Sequence, residues 1–161
     1  MAATERRTLE WAETAPLVVR ATATSAAPPD AVFAVLADHE RWPEWFGAVR
    51  RVVVTGAREG VGASRRVHIP GGVFEEDFIA WDPGQRWAFT VTAARPPICR
   101  ALVEDCRLTP ARDGTHIEYR MCFEPTRWAA PVMRLVAGSM RRQLQTAMDA
   151  LARRAAEAPA A

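Results

Sequence analysis

The chain has 161 residues, 49% hydrophobic and 25% charged, with a net charge of +2. That length fits one domain with a single core, and the arginines, the only basic residues besides histidine, are spread along the chain and largely matched by Asp and Glu. This lacks the one-sided clustering of a nucleic-acid footprint, and no apolar run reaches the roughly 18 residues of a membrane span.

The expected location is cytoplasmic. Residues 1–14 carry Glu5, Arg6, Arg7, Glu10 and Glu13 in place of a signal peptide's apolar stretch. Cys99, Cys106 and Cys122 are odd in number and lack CxxC spacing, so reduced thiols are expected. His39, His68 and His116 stand at no metal-ligand spacing. No metal site and no cofactor are expected.

Residues 1–15 read as a polar extension, frayed or briefly helical, and 16–157 as one domain. Leu17 to Thr24 alternates as a first strand. Pro28, Pro29 and Asp30 open a short helix through Leu36, and Pro43 opens a second over Trp42 to Phe46. Between the two helices, His39 reads as a solvated loop residue. From Val49 the period becomes two. Six strands are predicted: Val49 to Thr55, Ala63 to Ile69, Phe74 to Trp81, Arg86 to Ala93, Arg100 to Leu108 and Thr115 to Glu124. Gly60-Val61-Gly62, Pro70-Gly71-Gly72, Asp82-Pro83-Gly84-Gln85, Arg95-Pro96-Pro97 and Asp113-Gly114 punctuate them. A long amphipathic helix follows from about Thr126 to Ala156, with Pro131 in its first turn. Its side bearing Val132, Leu135, Met140, Leu144 and Met148 is expected to face the sheet, with space near Ala137 to Met140. Strands in sequence with segregated helices define an α+β domain.

The Asp38 and Trp42-Pro43-Glu44-Trp45 segment, Glu76 through Trp81-Asp82-Pro83 with Arg86, Gly114-Thr115 and the terminal helix together resemble the helix-grip proteins. These are the START and Bet v 1-like superfamily, and within it the polyketide cyclase/dehydrase-like group. The resemblance spans about residues 16–155. It implies a seven-stranded antiparallel curved sheet wrapped on the C-terminal helix, with two short helices after the first strand. It does not fix a reaction, because this fold carries lipid carriers, receptors and cyclases.

Hairpin register assigns the faces. Pro110 opposite Thr115 sets Leu102, Cys106 and Leu108 on one apolar face with Ile117, Tyr119, Met121 and Phe123, and Arg100 and Glu104 point inward with them. Outside, Arg107 meets Glu118 and Asp105 meets Arg120. Around Pro83-Gly84, Phe74, Glu76, Phe78 and Ala80 share the inner face with Trp87, Phe89, Val91 and Ala93. Around Gly71-Gly72, Arg65, Val67 and Ile69 are inward, while Arg66 meets Asp77 and His68 meets Glu75. Glu76 and Glu104 then lie on the order of 10 Å apart, two strand spacings of ~4.8 Å.

Four inward charges, Arg65, Glu76, Arg100 and Glu104, admit two readings: a structural ion-pair network, or the polar floor of an apolar ligand pocket. The pocket reading takes Phe78, Trp87, Phe89, Leu102, Tyr119, Met121, Met140 and Leu144 as lining. Its ligand is a small apolar or aromatic molecule, and the protein a monomer or homodimer. In the enzymatic alternative an aromatase/cyclase acts on a poly-β-ketone. Glu76 or Glu104 is then the base and Arg65 or Arg100 holds the oxyanion, with Tyr119 donating to the same oxygen or standing as a core aromatic whose hydroxyl is satisfied by backbone. Cys106 has no histidine on its face and is no nucleophile. A third reading is an interaction protein with a filled core.

Overall fold

A computed structural model describes residues 1–157. The elements in chain order are β1 (Ala2–Ala3), α1 (Leu9–Ala12), β2 (Leu17–Ser25), α2 (Pro29–Ala37), a 3-10 helix (His39–Glu44), β3 (Arg51–Val54), β4 (Ser64–Ile69), β5 (Gly72–Asp82), β6 (Arg86–Arg95), β7 (Cys99–Ala111), β8 (Gly114–Pro125) and α3 (Ala130–Glu157). Seven strands form one antiparallel path, β2-β8-β7-β6-β5-β4-β3, and the two-residue β1 attaches to β6 as an eighth. This is the α+β architecture that the sequence predicts.

The sheet's inner face packs on the second half of α3, where Leu144, Ala147, Met148, Leu151, Ala152 and Ala155 are buried. Side-chain bonds anchor that end. Ser25 donates its hydroxyl to the Ala152 carbonyl at 2.7 Å, and Thr115 donates to the Ala27 carbonyl at 2.7 Å. Gly114, at φ +136°, is demanded here, since a Cβ would lie 1.9 Å from the Ser25 carbonyl oxygen. The first half of α3 behaves differently. Only Met133 is buried there, and Val132 and Leu135, expected on the sheet, are 59% and 85% exposed. The stripe is apolar, yet the sheet does not cover it.

The strand register departs from the prediction at one turn and at three irregularities. The β4–β5 turn is tighter than predicted, pairing Ile69 with Gly72, so Arg66 meets Glu75 and not Asp77. That slip of two residues leaves every face unchanged. In contrast, an irregularity between Glu75 and Glu76 sets Ala94, not Ala93, opposite Phe74, and Ala94 is the buried core residue. Another irregularity between Phe78 and Ala80 turns Trp81 inward opposite Trp87, and Trp81 packs on the core edge-on to Phe78 and Phe33. The third lies between Cys99 and Ala101, where Arg100 is the extra residue on β7. Cys99 and Ala101 are buried and the Arg100 side chain leaves the inner face.

The N-terminal segment explains that bulge. β6 and β7 pair only from Arg86–Thr90 to Val103–Arg107 and then separate. Ala2 and Ala3 pair with Ala94 and Ala93, Thr4 N–H bonds the Thr92 carbonyl, and Glu5 N–H bonds the Arg100 carbonyl at 2.7 Å. The segment thus fills the split between the strands. α1 then lays Ala12 against Val103 and Cys122 on the outer face. Glu13, just after it, accepts two bonds from Arg120, at 2.8 and 2.7 Å.

Candidate functional site

Between the inner sheet face, the 3-10 helix and α3 lies a cavity of about 210 Å³. Its apolar wall includes Trp42, Phe46, Val67, Phe74, Phe89, Ile98, Leu102, Met121, Phe123, Met140 and Leu144, and its polar members are Arg65, Glu76, Glu104 and Gln143. β4, β5 and β7 each supply one charged residue because each of the three alternates inward at that level.

Arg65 is the centre of the charged set. It is 1% exposed, and its guanidinium carbon lies 4.0 Å from the Trp42 ring centroid, 4.9 Å from Trp87, 5.2 Å from Phe89 and 5.4 Å from Phe78. Such an aromatic box favours a desolvated guanidinium through the negative ring faces. Nε donates to Glu76 at 2.6 Å, and Nη1 donates to His39 Nδ1 at 3.2 Å. Nη2 has no partner although it is buried.

His39 is thereby fixed as a neutral tautomer. Nδ1 accepts from Arg65, so Nε2 carries the proton and donates it to the Arg58 carbonyl at 2.9 Å. Burial, and then the Arg65 charge, push its pKa down to about 4. The solvated loop residue expected from sequence is instead 1% exposed. The polar neighbours Asp38, Glu40 and Arg41 hid it, and the one available signal was the need of an inward arginine for a third partner.

Two carboxyls share the site with one guanidinium. Burial pushes both Glu76 and Glu104 above the ordinary carboxylate range, and Arg65 opposes that rise chiefly at Glu76. Arg65 Nε pairs with Glu76 at 2.6 Å, the contact that offsets burial at that carboxyl. Glu104 is left with burial and the Glu76 charge against it, and its pKa is pushed up to about 8. The protonated form is thereby favoured toward neutral pH. The Tyr119 hydroxyl donates to Glu104 Oε2, and burial followed by this carboxyl raises the phenol well above its usual value.

The sequence-predicted residues divide into three groups. Arg65, Glu76 and Glu104 meet at the cavity wall, with Phe89, Leu102, Met121, Met140 and Leu144 around them. Phe78, Trp87 and Tyr119 do not line it. They are at most 1% exposed and form the layer behind, where Trp87 and Phe78 support Arg65 and Tyr119 supports Glu104. Arg100 is not in the site. The β7 bulge turns it to the outer face, where it pairs with Glu5 at 2.7 Å and Glu124 at 3.5 Å. Trp42, Phe46 and Gln143, absent from the predicted lining, complete the wall. The thiols of Cys99, Cys106 and Cys122 are buried and raised by burial, so none is a ready thiolate. Among the described residues no cluster of His, Cys, Asp or Glu could hold a metal ion, and no helix is long and apolar enough to cross a membrane.

A curved antiparallel sheet closed by a long helix over a cavity with a polar end defines a helix-grip domain with the architecture of ligand-binding proteins. The chain belongs to the polyketide cyclase/dehydrase and lipid transport family, whose model matches residues 16–156. Uncharacterized proteins of Mycobacterium tuberculosis and Mycobacterium bovis are 33% identical over 131 residues, covering 80% of this chain and 78% of theirs. The Zhui aromatase/cyclase from a Streptomyces species superposes with a TM-score of 0.73 at 20% identity, over 86% of this chain and 93% of that one. A START superfamily protein from Mycobacterium smegmatis gives 0.70 at 15% identity, over 85% and 97%. At such identities the likeness to these two structures is one of fold.

Proposed function

We propose that the cavity binds a small, uncharged, ring-sized molecule carrying one oxygen acceptor. The observation that supports this is a mostly apolar cavity with Arg65 in its wall, a buried arginine whose Nη2 has no hydrogen-bond partner. A buried N–H without an acceptor costs about 1–3 kcal/mol, which a ligand carbonyl or hydroxyl oxygen would recover. Size limits the ligand. Drug-sized pockets run to about 300–1,000 Å³, whereas a cavity of about 150 Å³ accommodates benzene. At about 210 Å³ a single substituted ring fits the space as it stands. Charge limits it further, because Arg65 is neutralised by Glu76 and Glu104 is protonated, leaving no free cation for a carboxylate ligand.

A thermal-shift and calorimetric series with cyclohexanone, phenol, benzene and benzoate tests the reading. The neutral oxygen-bearing rings should bind best and benzoate worst. Leu102→Trp, which fills the cavity, should abolish binding. Failure of every probe to bind the wild-type protein, or binding that survives Leu102→Trp, overturns the assignment.

Aromatase/cyclase-type acid–base chemistry on a poly-β-ketone is a second reading, favoured by one observation. Glu104, with its pKa near 8, populates both protonation states close to neutrality. Its carboxylate could take a proton α to a carbonyl while the Arg65 guanidinium stabilises the enolate oxygen; the enolate carbon then adds to a second ketone, and the Glu104 acid returns the proton to the alkoxide so formed. A poly-β-ketone exceeds the cavity, so Met140 and Gln143 must move aside. Glu104→Gln should then retain ring binding and lose turnover; full turnover in that variant removes Glu104 from the chemistry.

A further inference from the structure

Seven large apolar side chains stand exposed among the described residues, and four of them, Trp128, Val132, Leu135 and Val136, fall together at the start of α3. Exposed clusters of this kind mark contact surfaces, whereas single exposed apolar residues need no explanation. The same stretch carries Arg127, Arg134, Arg141 and Arg142, all exposed, and no acidic residue. Along the helix, Val132, Val136, Met140 and Gln143 follow one another at i, i+4, i+8 and i+11, so they share a stripe. Met140 and Gln143 line the cavity. The exposed apolar stripe therefore runs directly into the cavity wall.

We propose that the first half of α3, with Trp128, is a docking surface for an anionic lipid bilayer. Val132, Leu135 and Val136 enter the headgroup–acyl boundary, the Trp128 indole sits at the headgroup level, and the arginines meet lipid phosphates and carboxylates. A second copy of the chain is the poorer occupant, because a two-fold contact through this face would bring four arginines against four with no acid among them. Docking there sets the cavity end of the stripe at the bilayer surface, where apolar molecules partition.

The test is co-sedimentation of the full, ligand-free chain with phosphatidylcholine vesicles, with and without phosphatidylserine. Its outcome does not depend on the ligand proposed above. The expected result is partitioning at least about tenfold stronger onto the serine-containing vesicles, weakened by salt. The double variant Val132→Asp/Leu135→Asp should lose it, and Arg127→Gln/Arg142→Gln should lower it and flatten the salt dependence. Both pairs are exposed, so circular dichroism melts should match the wild type and exclude misfolding. Absence of binding to anionic vesicles overturns the proposal, as does undiminished binding by the aspartate variant. A wild-type dimer that the aspartate variant dissociates would assign the face to a second copy instead.

Discussion

Glu104→Gln should flatten the fall of stability with rising pH and so reverse the stability order of variant and wild type between acid and alkaline pH. In the native state the Glu104 pKa is about 8 against a model value of 4.5. Between those values the folded protein holds a proton that the unfolded chain releases, so stability falls as pH rises through this window. The contribution is fully present below about pH 4.5 and lost above about pH 8. A shift of that size, at 1.36 kcal/mol per unit, corresponds to on the order of 5 kcal/mol between the two limits. The amide does not titrate and removes this slope. At pH 5 the variant should be less stable than the wild type by about 1–2 kcal/mol, because its second N–H finds no acceptor in an apolar wall. At pH 9 the order should reverse, since the wild type then carries an uncompensated buried carboxylate. Urea unfolding at pH 5, 7 and 9, with the midpoint and slope fitted separately, reads the crossing. Parallel curves for the two proteins, or a wild-type curve flat from pH 5 to pH 9, would refute a buried neutral Glu104. His39 supplies the opposite limb. Its pKa, depressed to about 4, means stability is present above about pH 6.5 and lost as pH falls through 4, and both proteins should share that loss.

Other substitutions separate the two faces of the sheet. Arg65→Met should cost about 3–5 kcal/mol at neutral pH by leaving Glu76 buried without its cation, whereas Arg65→Met/Glu76→Met should recover much of that loss in chemical denaturation. Arg100→Ala should leave ring binding and the melting midpoint unchanged, because the side chain is exposed and outside the cavity; a binding defect would restore it to the site. His39→Phe should remove the loss of stability between about pH 6.5 and 4 and free Arg65 Nη1, read as stronger selectivity for oxygen-bearing rings. Glu13→Gln should lower the melting midpoint at pH 7, since Arg120 and Arg107 hold that carboxyl down at about 2, and the difference from wild type should vanish below pH 2.

The sequence shows most of the fold and about half of the site, and the boundary has a physical cause. Strand periodicity gives each face correctly wherever pairing is regular, and even the misplaced Gly71-Gly72 turn is harmless because the error is an even number of residues. A bulge breaks that protection by inserting one residue. Arg100 follows the inward alternation of Leu102 and Glu104 in sequence, yet it faces outward because Glu5 and the N-terminal segment hold the β7 backbone and its side chain. A contact across 95 residues leaves no local signature. His39 illustrates the same limit, since its partners are Arg65 on β4 and the Arg58 carbonyl in a distant loop. Val132 and Leu135 fail for another reason. Amphipathic spacing reveals an apolar stripe but not what covers it.

The two faces of the sheet also distinguish a structural charge network from a site. On the outer face, fully buried Asp105 accepts from Arg86, Arg107 and Arg120, and Glu13 closes the set from the N-terminal segment. Burial opposes ionisation there, but the three arginines hold the Asp105 pKa below its usual value. Only Arg120 Nε lacks a hydrogen bond, and Glu118 stands 4.0 Å from it. That network is locked in one charge state. On the inner face the same residue types are left incomplete. Arg65 bonds Glu76 but leaves one N–H without a partner, and the Glu104 pKa is raised for want of a second cation. Arg65 and Glu104 both line the same cavity. Buried polar groups are mostly paired in folded proteins, so the unpaired donors of Arg65, Trp45 and Trp87 and the raised Glu104 carboxyl set the inner face apart from the outer network.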